Sequence, residues 1–464
     1  MIKLVIVGSG IGGSVLAHCL PKNAFSVTMV EQNFFSGQEI IMDKGIPAKT
    51  DPHIKYGYGG TTQCWHNGLI EISSEIFEKY WPYPKKNLEK CYSEAFKLLA
   101  GIDKEIVTKA SQFLKHFYDK HKISTDNLKN YLYYPLRRIN IFEYLYIEKN
   151  CEIIDGCLVD VDLIGPKISS ITILNKDGNL KKLDVEVLIL SMGGLNTPIF
   201  LQKIYQKYPI KALANAGKYY EDHPSCFIGS LKFKKPIHKF WNFPVFVSNK
   251  KHGYIRQPVI ISFNNLEYSF QLRPSAHLKI IRPRELMGNI LGDLRNKPFS
   301  IRNWYRFLTS VDDIFEVLSI KLGMNFPTCD YAIMMVCQQI STNNRSVYLS
   351  NGIVARNWDV GGNFNSEVKE AFEYAFKEFG DLDDISLNSD LKNLIFSSSH
   401  HSGTARMGAG DESVCDSDCR VKGISNLFVC DGSVIPASGA ANTGLTIAAL
   451  AIKLSEYLNK KSNV

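Results

Sequence analysis

The first 31 residues hold the strongest constraint on the fold. Residues 3–7, Lys-Leu-Val-Ile-Val, form an almost wholly apolar run of the kind that becomes a parallel strand buried on both faces. It leads directly into Gly-Ser-Gly-Ile-Gly-Gly, from Gly8 to Gly13, and then into a helical pattern over residues 14–20. A second strand pattern over 26–30 ends at Glu31. In that order Gly8 serves a tight turn, Gly10 lets the backbone approach a pyrophosphate, and Gly13 lets the helix pack on the strand. Free N–H groups and the dipole at the helix N-terminus favour the phosphates. Glu31, about 20 residues on, suits a ribose hydroxyl. The segment predicts a Rossmann-like dinucleotide-binding unit. It does not choose between FAD and NAD, because both present an adenosine ribose and a pyrophosphate to the same turn.

A chain of 464 residues exceeds what one ordinary core serves, so two domains, or one with a large insertion, are expected. Hydrophobic residues at 45% and charged residues at 22% are globular values, and disorder is expected only in the tail, 459–464. The first strand pattern starts at Met1, leaving no room for a secretory leader. No apolar run approaches the roughly 20 residues of a membrane span. The expectation is a cytoplasmic protein, soluble or at most peripheral at a membrane. Eleven cysteines, scattered from Cys19 to Cys430, suit reduced thiols. Cys415 and Cys419 lack a second pair or a histidine at ligand spacing, so they read as loop thiols and no metal site is expected.

The C-terminal segment settles the cofactor. Residues 398–408 read Ser-Ser-His-His-Ser-Gly-Thr-Ala-Arg-Met-Gly, residues 421–436 form a strand pattern that runs into Asp431 and Gly432, and residues 441–451 read Ala-Asn-Thr-Gly-Leu-Thr-Ile-Ala-Ala-Leu-Ala. These resemble the C-terminal signature of the glucose-methanol-choline (GMC) oxidoreductase superfamily. That signature has a histidine three residues before Gly-Thr, an Arg-Met-Gly, a strand ending in Asp-Gly or Asp-Ala, and an asparagine or histidine before the last helix. Gly-Gly-Thr-Thr at 59–62 resembles the family's glycine-rich flavin loop. Trp81-Pro82, Gly-Gly-Leu-Asn-Thr-Pro at 193–198, Glu-Asp-His-Pro at 221–224 and the stretch 338–347 match in order. Only residues 225–330 match in general character alone.

The resemblance implies an α/β fold. A discontinuous Rossmann-like FAD-binding domain would comprise residues 1–225 plus 396–464, with a helical excursion over about 83–135. An inserted α+β substrate-binding domain, 226–395, would be built on an antiparallel sheet that covers the flavin. It implies FAD as cofactor, contacted by Gly8, Gly10, Gly13, Glu31, Gly60, Thr61, Thr62, Cys64, Val159, Asp431, Gly432 and Thr443. It implies oxidation of an alcohol, in which a base beside the flavin N5 takes the hydroxyl proton as the hydride leaves. A neutral imidazole suits that task. His400, in register three residues before Gly403, takes the base position ahead of its neighbour His401, and Asn442 takes the partner position that holds the substrate oxygen. Asp431 by itself also reads as a cap or turn residue.

Two departures stand out. Thr443 follows Asn442 where the family has proline, and Cys64 precedes Trp65 where some sugar-oxidising relatives carry a flavin-linked histidine; His66 follows. Non-covalent flavin is expected, with a thioether at Cys64 as the alternative. The Gly-Gly-Thr-Thr loop with its nearby tryptophan leans to the sugar-oxidising branch, hence to a sugar, sugar derivative or polyol as substrate. The electron acceptor, dioxygen or another, is left open.

The net charge of +8 is concentrated. Within 271–310, Arg273, Lys279, Arg282, Arg284, Arg295, Lys297, Arg302 and Arg306 face only Glu285 and Asp293. An anionic substrate such as a nucleotide sugar would use arginines bidentately. The interleaved Leu286, Ile290, Leu291, Leu294, Trp304, Phe307 and Leu308 would also suit an interfacial surface. The default is a solvated helical face with its apolar side in the core. A non-catalytic FAD-fold module and a flavin-retaining lyase remain the competing functional classes, and no nucleic-acid-reading motif accompanies the basic residues.

Overall fold

The computed structural model describes all residues except 34–41, 46–53, 66, 121–126, 135–138, 150, 238–241, 248–250, 275–286, 311–313, 315–327, 378 and 463–464. The apolar N-terminal run becomes β1 (Ile2–Val7), followed by α1 (Ile11–Cys19) and β2 (Phe25–Glu31). β2 lies parallel to β1, with Val7 opposite Val30. Its far side pairs in parallel with the start of the long β3 (Glu152–Ile164), which then turns antiparallel to β4 (Lys167–Asn175), itself paired with β5 (Leu180–Asp184). On the other side of β1 lies β6 (Val187–Leu190), and beyond it the short strand Leu427–Val429, both parallel. Leu4, Ile6, Leu188, Ile189, Leu190, Leu427 and Val429 are buried, as parallel strands covered on both faces require. Segments more than 400 residues apart in sequence thus share one sheet.

Three glycines set the spacing at the upper edge of that sheet. Gly8 has φ +102°, and an added Cβ there would lie 2.3 Å from the Ser191 carbonyl oxygen. A Cβ on Gly12 would lie 1.7 Å from the Cys430 carbonyl oxygen, and one on Gly13 would lie 2.1 Å from that of Gly8. The Ser191 hydroxyl donates to the same Cys430 carbonyl at 2.7 Å. α2 (Gly193–Lys207) leaves this edge directly after β6.

A second, antiparallel sheet is ordered β8 (Val259–Phe263), β9 (Leu266–Pro274), β10 (Thr328–Cys337), β7 (Pro224–Ile237) and β11 (Leu382–Leu387). It has its own apolar cluster, including Phe270, Ile333, Met335, Phe372 and Phe376. The parallel sheet is packed in a separate, larger one. The chain is therefore a mixed α/β protein, as expected. None of the eleven cysteines forms a disulfide, and Cys415 and Cys419 are buried thiols.

The structure departs from the sequence reading in two places. The last helix runs from Gly444 to Ser462 through most of the tail expected to be disordered; Lys460 and Lys461 lie in its final turn, where cations suit the helix dipole. In the basic segment, α3 (Met287–Asn296) and α4 (Ile301–Leu308) form, and Ile290 is buried as the default reading required. Trp304 and Leu308, however, face solvent. Lys279, Arg282, Arg284, Glu285 and Leu286 lie outside the described residues. Among the described residues, no helix is long and apolar enough to cross a membrane.

Gly12→Ala is expected to destabilise the chain by about 2–4 kcal/mol, since strand backbone must move. Gly10→Ala, whose methyl would meet nothing within 4 Å, should cost no more than about 1 kcal/mol, the difference between Gly and Ala at an N-cap. Denaturant unfolding of both variants checks this, and equal losses would contradict the packing described.

Candidate active site

β7 begins at Pro224, directly after Asp222 and His223, and the two-residue strand Phe396–Ser397 pairs with it, Ser397 opposite Pro224. That pairing brings residues 397–400 alongside residues 222–225. Ser399 then adopts φ +57°, a left-handed turn that redirects the chain at His400.

The centre of the junction is Asp222, fully buried. Its carboxylate accepts from the His223 N–H at 2.8 Å, the His400 N–H at 3.0 Å and the Ser397 hydroxyl. Arg356, also fully buried, places Nη1 at 3.6 Å. A charge this deep is tolerated because several donors and an opposite charge surround it. Asp222 therefore fixes the backbone of both histidines with one side chain.

The two imidazoles meet edge to face, Nδ1 to Nδ1 at 3.1 Å. His223 Nε2 lies 2.8 Å from the Ser438 hydroxyl, and Asn442 Nδ2 lies 3.1 Å from His400 Nε2. With the Asn442 amide donating, His400 carries its proton on Nδ1 and gives it to His223 Nδ1, whose Nε2–H goes on to Ser438. His400 Nε2 keeps a lone pair. Burial lowers the pKa of His400 below its ordinary value, partly opposed by Asp222. Burial and the neighbouring His400 push His223 down to about 3, again opposed by Asp222. Both rings are neutral at pH 7. His401 turns elsewhere, its Nδ1 at 2.8 Å from the Tyr220 hydroxyl, which accepts from Arg356.

The other sequence candidates gather at the sheet edge. No side chain caps α1 at Gly10, and an added methyl at Gly10 or at Gly193 would meet nothing within 4 Å. Such bare helix N-termini suit an anion. Glu31 accepts from the Ser9 N–H at 2.6 Å, the Ser9 hydroxyl at 2.7 Å and the Gln32 N–H at 3.0 Å; burial raises its pKa against those bonds. The Gly59 N–H donates to Ser9 Oγ at 2.9 Å, which ties the loop carrying Gly60, Thr61, Thr62 and Cys64 to the first turn. Thr61 is exposed, while the buried Thr62 hydroxyl donates to the Gly59 carbonyl at 2.5 Å. Cys64 ends a short turn, Gly60–Cys64, and is half-buried. The next residue, Trp65, packs on Gly444 at the start of the last helix, beside the buried Thr443.

Asp431 spends its carboxylate on the protein. It accepts from the Gly193 N–H at 2.9 Å, the Thr197 hydroxyl at 2.5 Å and both Ser433 donors. It therefore caps α2 and the turn that begins at Gly432, as the cap reading of this residue alone had it. Val159 sits at a bulge of β3, its carbonyl accepting from Lys203 at 2.5 Å. The sequence reading gave no role to Ser9, Gly12, Gly193 or His223; Gly193 and His223 lay within the matched stretches 193–198 and 221–224 but were not picked out as site residues.

Residues 334–451 match the family model described as GMC oxidoreductase. A pyridoxine 4-oxidase of Microbacterium luteolum is 37% identical over 65 residues, 14% of this chain and 13% of that protein. A C-glycoside 3-oxidase of Microbacterium trichothecenolyticum is 43% identical over 61 residues, 13% of this chain and 12% of its own length. The chain thus aligns with about an eighth of these curated relatives. Over whole chains, the crystal structure of a pyridoxine 4-oxidase from Mesorbium loti superposes with a TM-score of 0.62 at 13% identity, covering 99% of both chains. Formate oxidase of Aspergillus oryzae RIB40 superposes at 0.58 with 15% identity, covering 99% of this chain and 98% of that one. At such identities the structures establish the fold.

His223 provides a test of the geometry that needs no ligand. Its folded pKa, about 3, lies below the ordinary 6.5, so between these values the unfolded chain binds the extra proton. The stability contributed by the neutral ring is complete above about pH 6.5 and is lost as pH falls toward 3. His223→Asn removes that group, and its stability should fall less steeply over this range; parallel curves in urea unfolding at stepped pH would show that the ring is not held as described.

Proposed function

We propose, taking kinship with the GMC oxidoreductases as premise, that this chain is an FAD-dependent enzyme that oxidises an alcohol to a carbonyl compound. The observation that carries the reading is the line Asn442, His400, His223, Ser438, which keeps the half-buried His400 Nε2 unprotonated, its lone pair turned to the Asn442 amide. FAD when bound supplies the hydride acceptor. The residues present fit it: the uncapped N-terminus of α1 with Gly8, Gly10 and Gly13 would hold the pyrophosphate, and Glu31 would line the ribose end. Gly60, Thr61, Thr62 and Cys64 would cover the flavin non-covalently, with Val159, Gly432 and Thr443 contributing backbone and Asp431 holding Gly432 in place.

His400 Nε2 would take the hydroxyl proton, while Asn442 Nδ2 donates to the substrate oxygen and orients the carbon for hydride loss. On protonation the His400 Nδ1–H bond to His223 strengthens, and the Asp222 carboxylate offsets the new positive charge. Residues 1–225 plus 396–464 would form the FAD-binding domain and residues 226–395 the substrate domain. Similarity to C-glycoside 3-oxidases supports a sugar, sugar derivative or polyol as substrate, and their being oxidases supports dioxygen as acceptor.

Anaerobic stopped-flow with a panel of sugars, polyols and simple alcohols tests this. Wild type should bleach its flavin with one class, and His400→Ala should do so about 10²–10⁴-fold more slowly. A flavin-free protein, or unchanged rates in His400→Ala, would sink the reading. Because the His400 pKa is lowered, the rate should hold as pH falls below 6.5 and decline only further down. His223→Leu should slow reduction about 10–100-fold and move that acid limb lower still, since the imidazolium loses its acceptor. His223→Asn should restore both, whereas a purely structural role would leave the limb in place.

A further inference from the structure

Two turns of helix on the surface carry a feature that alcohol oxidation does not use. α4 is held from its polar side: the Ser300 hydroxyl accepts from the Asn303 N–H at 3.4 Å, and the buried Asn303 amide donates to the Asp293 carbonyl at 3.1 Å. Residues 301, 304, 305 and 308 recur at one-face helical spacing, and that face points outward. Ile301 is 86% exposed, Trp304 47%, Tyr305 64% and Leu308 63%, with Phe299 ahead of them at 96%. Of fifteen exposed large apolar side chains among the described residues, these five fall within ten positions. Single exposed apolar residues are ordinary, but a contiguous group marks a surface that meets another phase or partner.

The rim of the face identifies the partner. Across residues 287–310 the acid is Asp293 and the cations are Arg295, Lys297, Arg302 and Arg306. Arg306 pairs with Asp293 at 2.5 Å, which leaves Arg295, Lys297 and Arg302 as exposed cations in the same segment as the apolar stripe. Tryptophan and tyrosine with cations flanking an apolar stripe is the make-up of a helix lying in the headgroup layer of a bilayer. Trp304 is anchored by its ring N–H on the Pro298 carbonyl at 2.7 Å, and the long basic side chains can reach phosphates while their stems stay in the apolar layer. The net charge of +8 adds a general attraction to an anionic surface.

We propose that Phe299, Ile301, Trp304, Tyr305 and Leu308, together with Arg295, Lys297 and Arg302, form a peripheral docking surface for membranes containing anionic lipid. Flotation of the purified, FAD-loaded full chain with vesicles tests it, using phosphatidylcholine alone and equal parts phosphatidylcholine and phosphatidylglycerol. Wild type should float with the anionic vesicles, less with the neutral ones, and less again at high salt. Ile301→Glu with Leu308→Glu should lower the bound fraction more than tenfold. Arg302→Glu, a change of two unit charges, should lower it by about 25-fold, each unit charge near the surface being worth about fivefold. Unchanged flavin content in these variants shows that the fold is intact. Failure of wild type to bind, equal binding by the double variant, or a dimer in sedimentation that the double variant abolishes would each overturn the proposal, the last by showing a second copy on this face. None of these outcomes bears on the proposed chemistry.

Discussion

Three peptide segments touch at the upper edge of the parallel sheet with no side chain between them, and the rest of the molecule depends on that contact. The backbone at Gly12 lies against the carbonyl of Cys430, and that of Gly8 against the carbonyl of Ser191. Strand spacing in a parallel sheet is nearly invariant, so once β6 lies beside β1 and the Leu427–Val429 strand lies beyond β6, nothing larger than hydrogen fits at these positions. The same contact aims the N-termini of α1 and α2 at one place, and Asp431 locks it by bonding the first residues of α2 and of the next turn together. Local geometry that began as a turn preference thus becomes a joint between the start, middle and end of the chain.

A second joint, between the antiparallel sheet and the catalytic candidates, is electrostatic. Asp222 holds the backbones of His223 and His400 and is itself held by Arg356. Polar groups in such a place must all be satisfied, and the carboxylate, guanidinium, two imidazoles and hydroxyls meet that demand largely among themselves. One consequence is a pair of imidazoles kept neutral by burial. Another is a tautomer chosen by neighbours rather than by solvent, which presents the unprotonated nitrogen of His400 to the Asn442 amide.

Much of this was legible from residue order alone, where local pattern and the final environment agree. β1, the glycine turn, α1 and β2 form as read, because a run of apolar β-formers, bare glycines and a helical repeat leave few alternatives. The pairing of His400 with Asn442 was legible only through resemblance, 42 positions apart. The tail over 459–462 was misread because its polar composition looks disordered, although helix propagation from a buried start carries it forward. The outward apolar face of α4 was left between a core-facing default and an interfacial reading, because periodicity shows that a helix has two sides without showing which one meets the core.

The amino-acid order by itself determined the short-range events: which runs form strands, where glycine relieves a turn, where helices begin. Backbone sterics and hydrophobic periodicity act within about a dozen residues, so one sequence carries them in full. Tertiary structure decided what depends on partners distant in the chain. It gave Asp431 to capping, set Gly12 against Cys430, tied Glu31 through Ser9 to Gly59, and placed His223 behind His400. Each of these is a burial or a hydrogen bond between groups from separate strands, and its energy exists only once the strands have been brought together.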